Sequence, residues 1–418
     1  MGDATGTDIE LALTGIAHGG FAVGRLDGRV VFVSDAIPGE TVIARVTDDS
    51  KASFWRADAV SIVDASPHRV PHVWVEAGID RPIHARVGGA DFGHIALTHQ
   101  RELKRDVLKD SLARFGKLDE ATIALLLDRV NALPGDDDRG GLAWRTRVRL
   151  HVNDQGQVGP RARRSHDIIV VKSLPLASEG INQIAPLADN YGMTGSVDVL
   201  SPSIGEPRLI VGEQKPTVIR ERVGNREFQV DDNGFWQVHR EAATTLTDEV
   251  RAAIDSERFD PTALNLDLYG GVGLFAVALA DLGGPSTRIT SVESDERATE
   301  HAGENLSEWV GAFAETGMVD KWLRALDARA TPGERSRLAA GTVILDPPRS
   351  GAGREVMALL GRIGPAQIVY VACDPVALSR DIAFARDHGY RPTRLRALDL
   401  FPHTHHLETI VTLVREQS

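Results

Sequence analysis

The segment LNLDLYGGVGLFAVALA, residues 264–280, identifies the class of fold. An apolar strand runs into a tight glycine turn, and the turn opens an apolar helix. Glycine suits this turn because a Cβ would block the close approach of a cofactor to the backbone. From Gly234 onward, apolar strands alternate with helical periodicity, which is the pattern of a parallel doubly wound sheet. We therefore predict an α/β, Rossmann-like domain over residues 226–418.

The next predicted strand, residues 289–292, ends at Glu293. A carboxylate at this second strand end can accept hydrogen bonds from both hydroxyls of a ribose. The glycine turn also satisfies the dinucleotide pattern Gly-x-Gly-x-x-Ala through Gly271, Gly273 and Ala276. An NAD-linked or small-molecule enzyme therefore stays open at this point.

Two further predicted strands end in residues that could take part in catalysis. Residues 343–345 end at Asp346, in a di-proline turn whose carboxylate and carbonyls form a rigid, acceptor-rich edge. Methyltransferases that act on planar bases often use such an edge, whereas dehydrogenases have no general need for it. Residues 368–372 end at Cys373, the only cysteine of the chain. Because parallel strands open at one edge of the sheet, Cys373 is a candidate nucleophile beside Asp346; a buried core thiol is the alternative.

Residues 401–409, FPHTHHLET, lead into the closing strand and carry one carboxylate, Glu408. The three histidines could suggest a metal, but no cysteine or further carboxylate stands at a suitable spacing. We predict no metal site. We expect the histidines to hold the loop or to shift the ionisation of Cys373 or Glu408.

The chain of 418 residues carries a net charge of -12, which argues against a surface that is basic throughout. Residues 141–172 are an exception, with seven basic and two acidic side chains. A row of guanidiniums on one strand face suits phosphate recognition, with a solvated sheet face as the alternative. Six arginines are the candidate phosphate contacts: Arg145, Arg147, Arg149, Arg161, Arg163 and Arg164.

Residues 1–64 are predicted to form a small β-barrel, because short strands are separated by Gly and Asp-Gly turns. Residues 65–225 are predicted to be a mostly β central domain, with one polar helix over about 97–112 that packs on the catalytic domain. The N-terminus lacks a basic and an apolar leader region, and no stretch is long enough to span a membrane. We expect a cytoplasmic monomer without membrane contact.

Taken together, the motifs at 267–273, 346–349, 373–375 and 401–408 resemble the successive motifs of the RNA uracil-5-methyltransferase family. Their order and spacing make the resemblance specific. Residues 235–238 resemble the Phe-Gln-Val element of that family, and the N-terminal barrel resembles a TRAM domain, an OB-like barrel. The resemblance covers nearly the whole chain.

The resemblance implies transfer of a methyl group from S-adenosylmethionine to C5 of a uridine in rRNA or tRNA. Cys373 would add to C6 of the base, and Glu408 would remove the C5 proton. The target uridine would be looped or flipped out of its stack. The predicted cofactor contacts are Gln237, Tyr269, Gly271, Gly273, Glu293 and Asp346. Tyr269 would pack near the donor, Glu293 would hold the ribose, and Asp346 would bridge the donor and substrate regions.

The sequence departs from its apparent relatives in three places. Residues 87–92 and 174–176 lack the cysteines that hold an iron-sulfur cluster in many TRAM-type relatives, so we predict no cluster. Leu274 stands where relatives often have Asn at the cofactor turn. The barrel segment has ten acids against five bases, which favours RNA contact by shape and by Phe32, Phe54 or Trp55. An RNA-binding protein without turnover is the remaining alternative.

Overall fold

The computed structural model describes residues 4–192 and 195–416. The N-terminal part is a closed barrel with the strand order β1-β2-β3-β5-β4, as predicted. Val31 and Val33 face the barrel core and alternate with Phe32 on the outer face, because successive side chains of a strand point to opposite sides. The five strands are β1 Asp8–Ala17, β2 Phe21–Leu26, β3 Arg29–Ser34, β4 Thr41–Asp48 and β5 Phe54–Asp64.

The middle of the chain begins with two helices and continues mainly as strands. Its elements are α1 Leu97–Arg114, α2 Glu120–Leu126, β6 Val130–Asn131, β7 Arg147–Val152, β8 Val158–Gly159, α3 Glu179–Ile184, β9 Gly195–Leu200, β10 Arg208–Val211, β11 Val218–Val223 and β12 Arg226–Asp231. A four-stranded sheet has the order β10-β9-β7-β8, and β11 pairs with β12 as a hairpin. Trp144, Leu150 and Ile181 lie in the core beneath this sheet.

The C-terminal part is an eight-stranded sheet with helices on both faces, which confirms the predicted doubly wound α/β class. Its elements are α4 Ala242–Ala253, β13 Asn265–Leu268, α5 Leu274–Gly283, β14 Ile289–Glu293, α6 Glu296–Asn305, β15 Ala312–Thr316, α7 Val319–Arg329, α8 Pro332–Ala339, β16 Thr342–Leu345, α9 Gly353–Ile363, β17 Gln367–Ala372, α10 Pro375–Arg386, β18 Tyr390–Leu398 and β19 Glu408–Arg415. The order is β15-β14-β13-β16-β17-β19-β18-β6, and β19 runs antiparallel to both β17 and β18.

Helix α1 and strand β6 belong spatially to the C-terminal sheet. Leu108 and Leu112 of α1 share one hydrophobic core with Leu378 and Ile382 of α10, and β6 pairs in parallel with β18. The α1 side chain Lys104 is buried and binds Asp399 with a distance of 2.5 Å between Nζ and Oδ1. The domain boundaries proposed after residues 64 and 225 stay a prediction.

Ion pairs fix the barrel to the central part of the chain. Asp35 and Asp58 are buried barrel carboxylates, and Arg163 binds both of them. Arg86 donates from Nη1 to Oδ2 of Asp35 at 2.6 Å, and Arg164 also binds Asp58. Buried charges need such partners, so this network determines where the barrel sits. Across the described ranges, no helix is both long and apolar enough to span a membrane.

Candidate active site

The glycine turn between β13 and α5 exposes its backbone at the edge of the sheet. Tyr269, Gly271 and Gly273 have φ values of 64°, 54° and 85°, which is the left-handed region that favours glycine. A Cβ on Gly270 would lie 2.0 Å from Oγ of Ser291, whereas a Cβ on Gly271 would meet no atom within 4 Å. The turn is therefore packed tightly on one side and open on the other, where a cofactor can approach.

Glu293 closes this turn from the neighbouring strand. Its Oε2 accepts a hydrogen bond from the Gly271 amide at 3.1 Å. Its Oε1 accepts from the amides of Ser294 and Asp295 at 2.6 and 2.9 Å. These bonds fix the carboxylate at the end of β14, and its contact with a ribose stays a prediction.

Two carboxyl groups lie beneath and beside the turn. Asp267 is buried and accepts hydrogen bonds through Oδ2 from the Ala276 amide and from Ser291 Oγ. Burial raises the pKa of Asp267 to about 7, and Oδ1 has no hydrogen-bond partner in the part of the chain described. Asp346 follows the adjacent strand β16. Burial and, next, the charges of Asp267 and Glu293 raise the pKa of Asp346 to about 7.

Cys373 and Glu408 face each other at the ends of β17 and β19. The antiparallel register pairs Ala372 with Thr409, so the next position of each strand brings Cys373 opposite Glu408. Burial, followed by the charges of Glu408 and Asp346, raises the pKa of the Cys373 thiol to about 12. Burial and Asp346 raise the pKa of Glu408 well above its usual range. Burial thus favours the uncharged form of both groups.

A cavity of about 200 Å³ lies beside the thiol. Three separate parts of the chain line it: the barrel, helix α1 with the segment before it, and the strand ends of the C-terminal sheet. The residues are His18, Gly19, Gly20, Phe92, Leu103, Lys104, Val107, Arg349, Cys373, Asp374, Pro375, His405, His406 and Leu407. Arg349 is the nearby cation that favours the thiolate of Cys373. Its position after the di-proline turn was the sequence signal for this role.

Asp374 has a role that the sequence analysis missed. Its Oδ1 caps helix α10 by accepting from the amides of Val376 and Ala377 at 3.0 and 2.8 Å. Its Oδ2 lies 3.2 Å from Nε2 of His18 in the barrel. The helix cap was visible in the sequence, because Asp followed by Pro is a typical helix start. The contact with His18 had no local signal.

Hydrogen bonds of His403 and His405 hold the closing loop in place. The His403 amide donates to Oε1 of Gln100 at 2.8 Å, and its ring pairs with the Gly140 carbonyl. His405 Nδ1 bonds Oδ2 of Asp91 at 2.6 Å. His406 lines the cavity. His403 and His405 thus fix the loop that leads to Glu408, while the His406 ring contacts Phe401 and His405.

The six arginines predicted as phosphate contacts differ in exposure, and the contacts themselves stay a prediction. Arg145 and Arg147 are half-buried, and Arg147 donates from Nη1 to the Gly234 carbonyl at 2.7 Å. Arg163 and Arg164 bind the barrel carboxylates described above. Three of the six arginines are exposed: Arg161, Arg149, which pairs with Asp198, and Arg164, which binds Asp58.

Gln237 lies on the segment between β12 and α4, apart from the strand ends. The preceding residue, Trp236, shares a hydrophobic cluster with Val272 and Phe275 at the glycine turn. This cluster brings the Gln237 segment to the cofactor side of the sheet. No hydrogen bond within the described ranges joins its side chain to the other predicted cofactor contacts.

The outer face of the barrel carries three rings in contact. The centroids of Phe21 and Phe32 are 6.3 Å apart, and those of Phe32 and Phe54 are 5.5 Å apart. Arg56 lies over Phe21. Trp55 packs against the barrel core instead, with Arg29 over its ring. Of the three aromatic residues predicted for RNA contact, Phe32 and Phe54 share this face.

Comparison with known proteins gives a consistent result. Residues 329–416 match the protein family described as tRNA (Uracil-5-)-methyltransferase. A Streptomyces avermitilis protein named as an uncharacterized RNA methyltransferase is 34% identical, covering 98% of both chains. A 23S rRNA (uracil(1939)-C(5))-methyltransferase of Alkalilimnicola ehrlichii is 28% identical, covering 97% of this chain and 96% of the other.

A solved structure supports the fold. The Pyrococcus abyssi tRNA (uracil-54, C5)-methyltransferase, determined with S-adenosyl-L-homocysteine, aligns with a TM-score of 0.66. The alignment covers 97% of this chain and all of the other, with 22% sequence identity. The barrel, the central sheet and the doubly wound sheet therefore occur together in a related arrangement.

Proposed function

The chain belongs to the RNA uracil-5-methyltransferase family, and on that premise we propose that it methylates C5 of a uridine in RNA through a covalent bond between Cys373 Sγ and C6 of the base. The observation that carries this proposal is the position of Cys373 opposite Glu408, beside a cavity at the sheet edge. Family membership makes an NAD-linked enzyme the weaker interpretation.

Cys373 is the proposed nucleophile. Uracil C5 is a weak nucleophile, and addition of the thiolate to C6 gives C5 the character of an enolate carbon. C5 would then take the methyl group of S-adenosylmethionine, which would leave as S-adenosylhomocysteine. The C5 proton passes to the ionised Glu408 carboxylate, and the bond between Sγ and C6 breaks as the C5–C6 double bond re-forms and the thiolate leaves. Because burial raises the pKa of the Cys373 thiol, we expect the thiolate to form only as the base binds, with its proton released to solvent and Arg349 favouring the charge.

S-adenosylmethionine, when bound, supplies an electrophilic methyl group. The open face of the turn at Gly271 fits a cofactor that approaches the backbone closely. The Glu293 carboxylate would accept hydrogen bonds from the hydroxyls of the ribose. We assign Tyr269 to the donor side and Asp346 to the border between the donor and the base. The other proposed cofactor contacts are Gln237, Gly271, Gly273 and Glu293.

The substrate is proposed to be an unpaired uridine of rRNA or tRNA. The cavity beside Cys373 is only about 200 Å³, so the base must leave its stack to reach the thiol. Arg149, Arg161 and Arg164 are the proposed phosphate contacts, because they remain exposed. Sequencing 5-methyluridine in host RNA, with and without the gene, identifies the position.

Trapping with 5-fluorouridine tests the covalent step. Fluorine at C5 cannot leave as a proton, so the adduct should accumulate in the presence of S-adenosylmethionine and survive denaturing electrophoresis. Cys373→Ala should abolish the adduct while retaining RNA binding. If the wild-type chain forms no adduct with any rRNA or tRNA fragment, the proposed mechanism is wrong.

A further inference from the structure

The turn between β1 and β2 of the barrel reaches the active site. Residues 18–20 form this turn, and Gly19 and Gly20 both have positive φ values, 85° and 78°. His18, Gly19 and Gly20 line the same cavity as Cys373. The barrel therefore supplies one wall of the space beside the nucleophile, although it ends more than 300 residues before Cys373.

Close packing fixes this turn against the C-terminal sheet. A Cβ on Gly20 would lie 2.7 Å from Cβ of His405 and 3.0 Å from Cε1 of Phe92. His405 is itself held by Asp91. Only glycine fits here without displacing the loop that leads to Glu408. The ion pairs of Asp35 and Asp58 hold the remainder of the barrel, so the turn has a defined position.

His18 contacts the turn that follows Cys373. Its Nε2 lies 3.2 Å from Oδ2 of Asp374, the residue after Cys373. The other oxygen of Asp374 accepts the amides of Val376 and Ala377. With a partner on each oxygen, the carboxylate cannot rotate freely, and the backbone between Cys373 and α10 is held from both sides.

We propose that His18 is a positioning residue for the covalent step, holding Asp374 and thereby the Cys373 thiol at the angle that attack on C6 requires. The inference rests on the proposed function. Small displacements of a reacting group reduce rates strongly, because the reacting atoms must be aligned at near-contact distance. Barrel docking therefore contributes to the rate of the chemical step as well as to RNA affinity.

The test compares His18→Ala, His18→Gln and the matched control His84→Ala, an exposed histidine that does not line the cavity. At saturating RNA, His18→Ala should slow formation of the 5-fluorouridine adduct roughly tenfold or more, with an unchanged Kd for RNA. His18→Gln, which keeps an N–H donor, should recover most of that rate, and His84→Ala should match the wild type. An unchanged rate in His18→Ala, a loss of RNA affinity alone, or no recovery in His18→Gln would overturn the proposal.

Hydrogen exchange gives a readout that needs neither RNA nor turnover. His18→Ala should speed exchange at the amides of Val376 and Ala377, because the carboxylate that accepts them loses its second partner. His84→Ala should leave that exchange unchanged. If the wild-type chain forms no adduct, the proposed function fails, while faster exchange in His18→Ala still supports the positioning contact. Unchanged exchange overturns the contact itself.

Discussion

Cys373 and Glu408 occupy opposite positions at the ends of two antiparallel strands, one step beyond the pair formed by Ala372 and Thr409. The parallel strand β16 brings Asp346 to the same edge from the other side of β17. The arrangement depends on β19 running antiparallel to its neighbours. If β19 ran parallel to β17, its first residue, Glu408, would lie at the opposite edge of the sheet. A nucleophile, a candidate base and a cofactor-side carboxyl group thus meet at one edge.

Replacing Glu408 separates methyl transfer from product release. In Glu408→Gln, the thiol can still add to C6, but nothing removes the C5 proton. We expect a methylated covalent complex with natural uridine and a fall in free product of roughly 10²–10⁴-fold, measured by denaturing electrophoresis and mass spectrometry. Glu227→Gln, on the exposed hairpin of β11 and β12, serves as the control. Free product at the normal rate in Glu408→Gln would remove this residue from the base role.

The buried carboxyl of Asp267 should make stability depend on pH. Its folded-state pKa of about 7 lies above the ordinary value of 3.8, so the folded chain holds a proton that the unfolded chain has released between these values. Stability is therefore lost as pH rises through this window. In Asp267→Asn this loss should be absent. The free energy of unfolding of the wild type relative to the variant should fall by about 2–3 kcal/mol between pH 5 and pH 8.

Urea denaturation at the two pH values measures this difference. Asp154→Asn, at an exposed position, provides the comparison and should show no such change. A difference between wild type and Asp267→Asn that is the same at both pH values would contradict the prediction.

Two glycines with similar backbone angles should tolerate alanine differently. Gly20 and Gly28 have φ values of 78° and 82°, but only Gly20 packs against another part of the chain. Gly28→Ala should cost only the backbone strain, about 1–2 kcal/mol. Gly20→Ala should cost more and should also slow adduct formation, because the turn must move away from His405. Urea unfolding and single-turnover trapping measure the two effects. Equal behaviour of the two variants would show that the turn is not docked.

The aromatic face of the barrel should contribute to RNA affinity. Phe32 lies between Phe21 and Phe54 on the outer face, where unpaired bases can stack. We expect Phe32→Ala to weaken binding by about 1–3 kcal/mol without changing the salt dependence, because stacking releases no counterions. Fluorescence anisotropy at two salt concentrations measures both quantities. Phe313→Ala, an exposed ring on the edge strand β15, should bind like the wild type; an unaffected Phe32→Ala would assign RNA binding to other surfaces.

Local sequence patterns predicted much of the fold and most of the candidate catalytic residues. Three segments each combine a short apolar run with a residue that restricts the backbone: the glycine turn after residue 268, the di-proline turn after Asp346 and the strand before Cys373. Such patterns involve only residues that are neighbours in sequence, so the sequence shows them directly. The same holds for the barrel strands. Residue order alone therefore indicated where strands end, and strand ends indicated the site.

Tertiary structure decided which charges are available and which distant segments meet. Arg163 looks like a phosphate contact in sequence, yet it binds Asp35 and Asp58 because the barrel docks on it. The contact of His18 with Asp374 joins two turns that have no shared periodicity. Such contacts depend on how whole domains pack, and packing is set by shape and buried charge across the fold, which no local pattern of residues encodes.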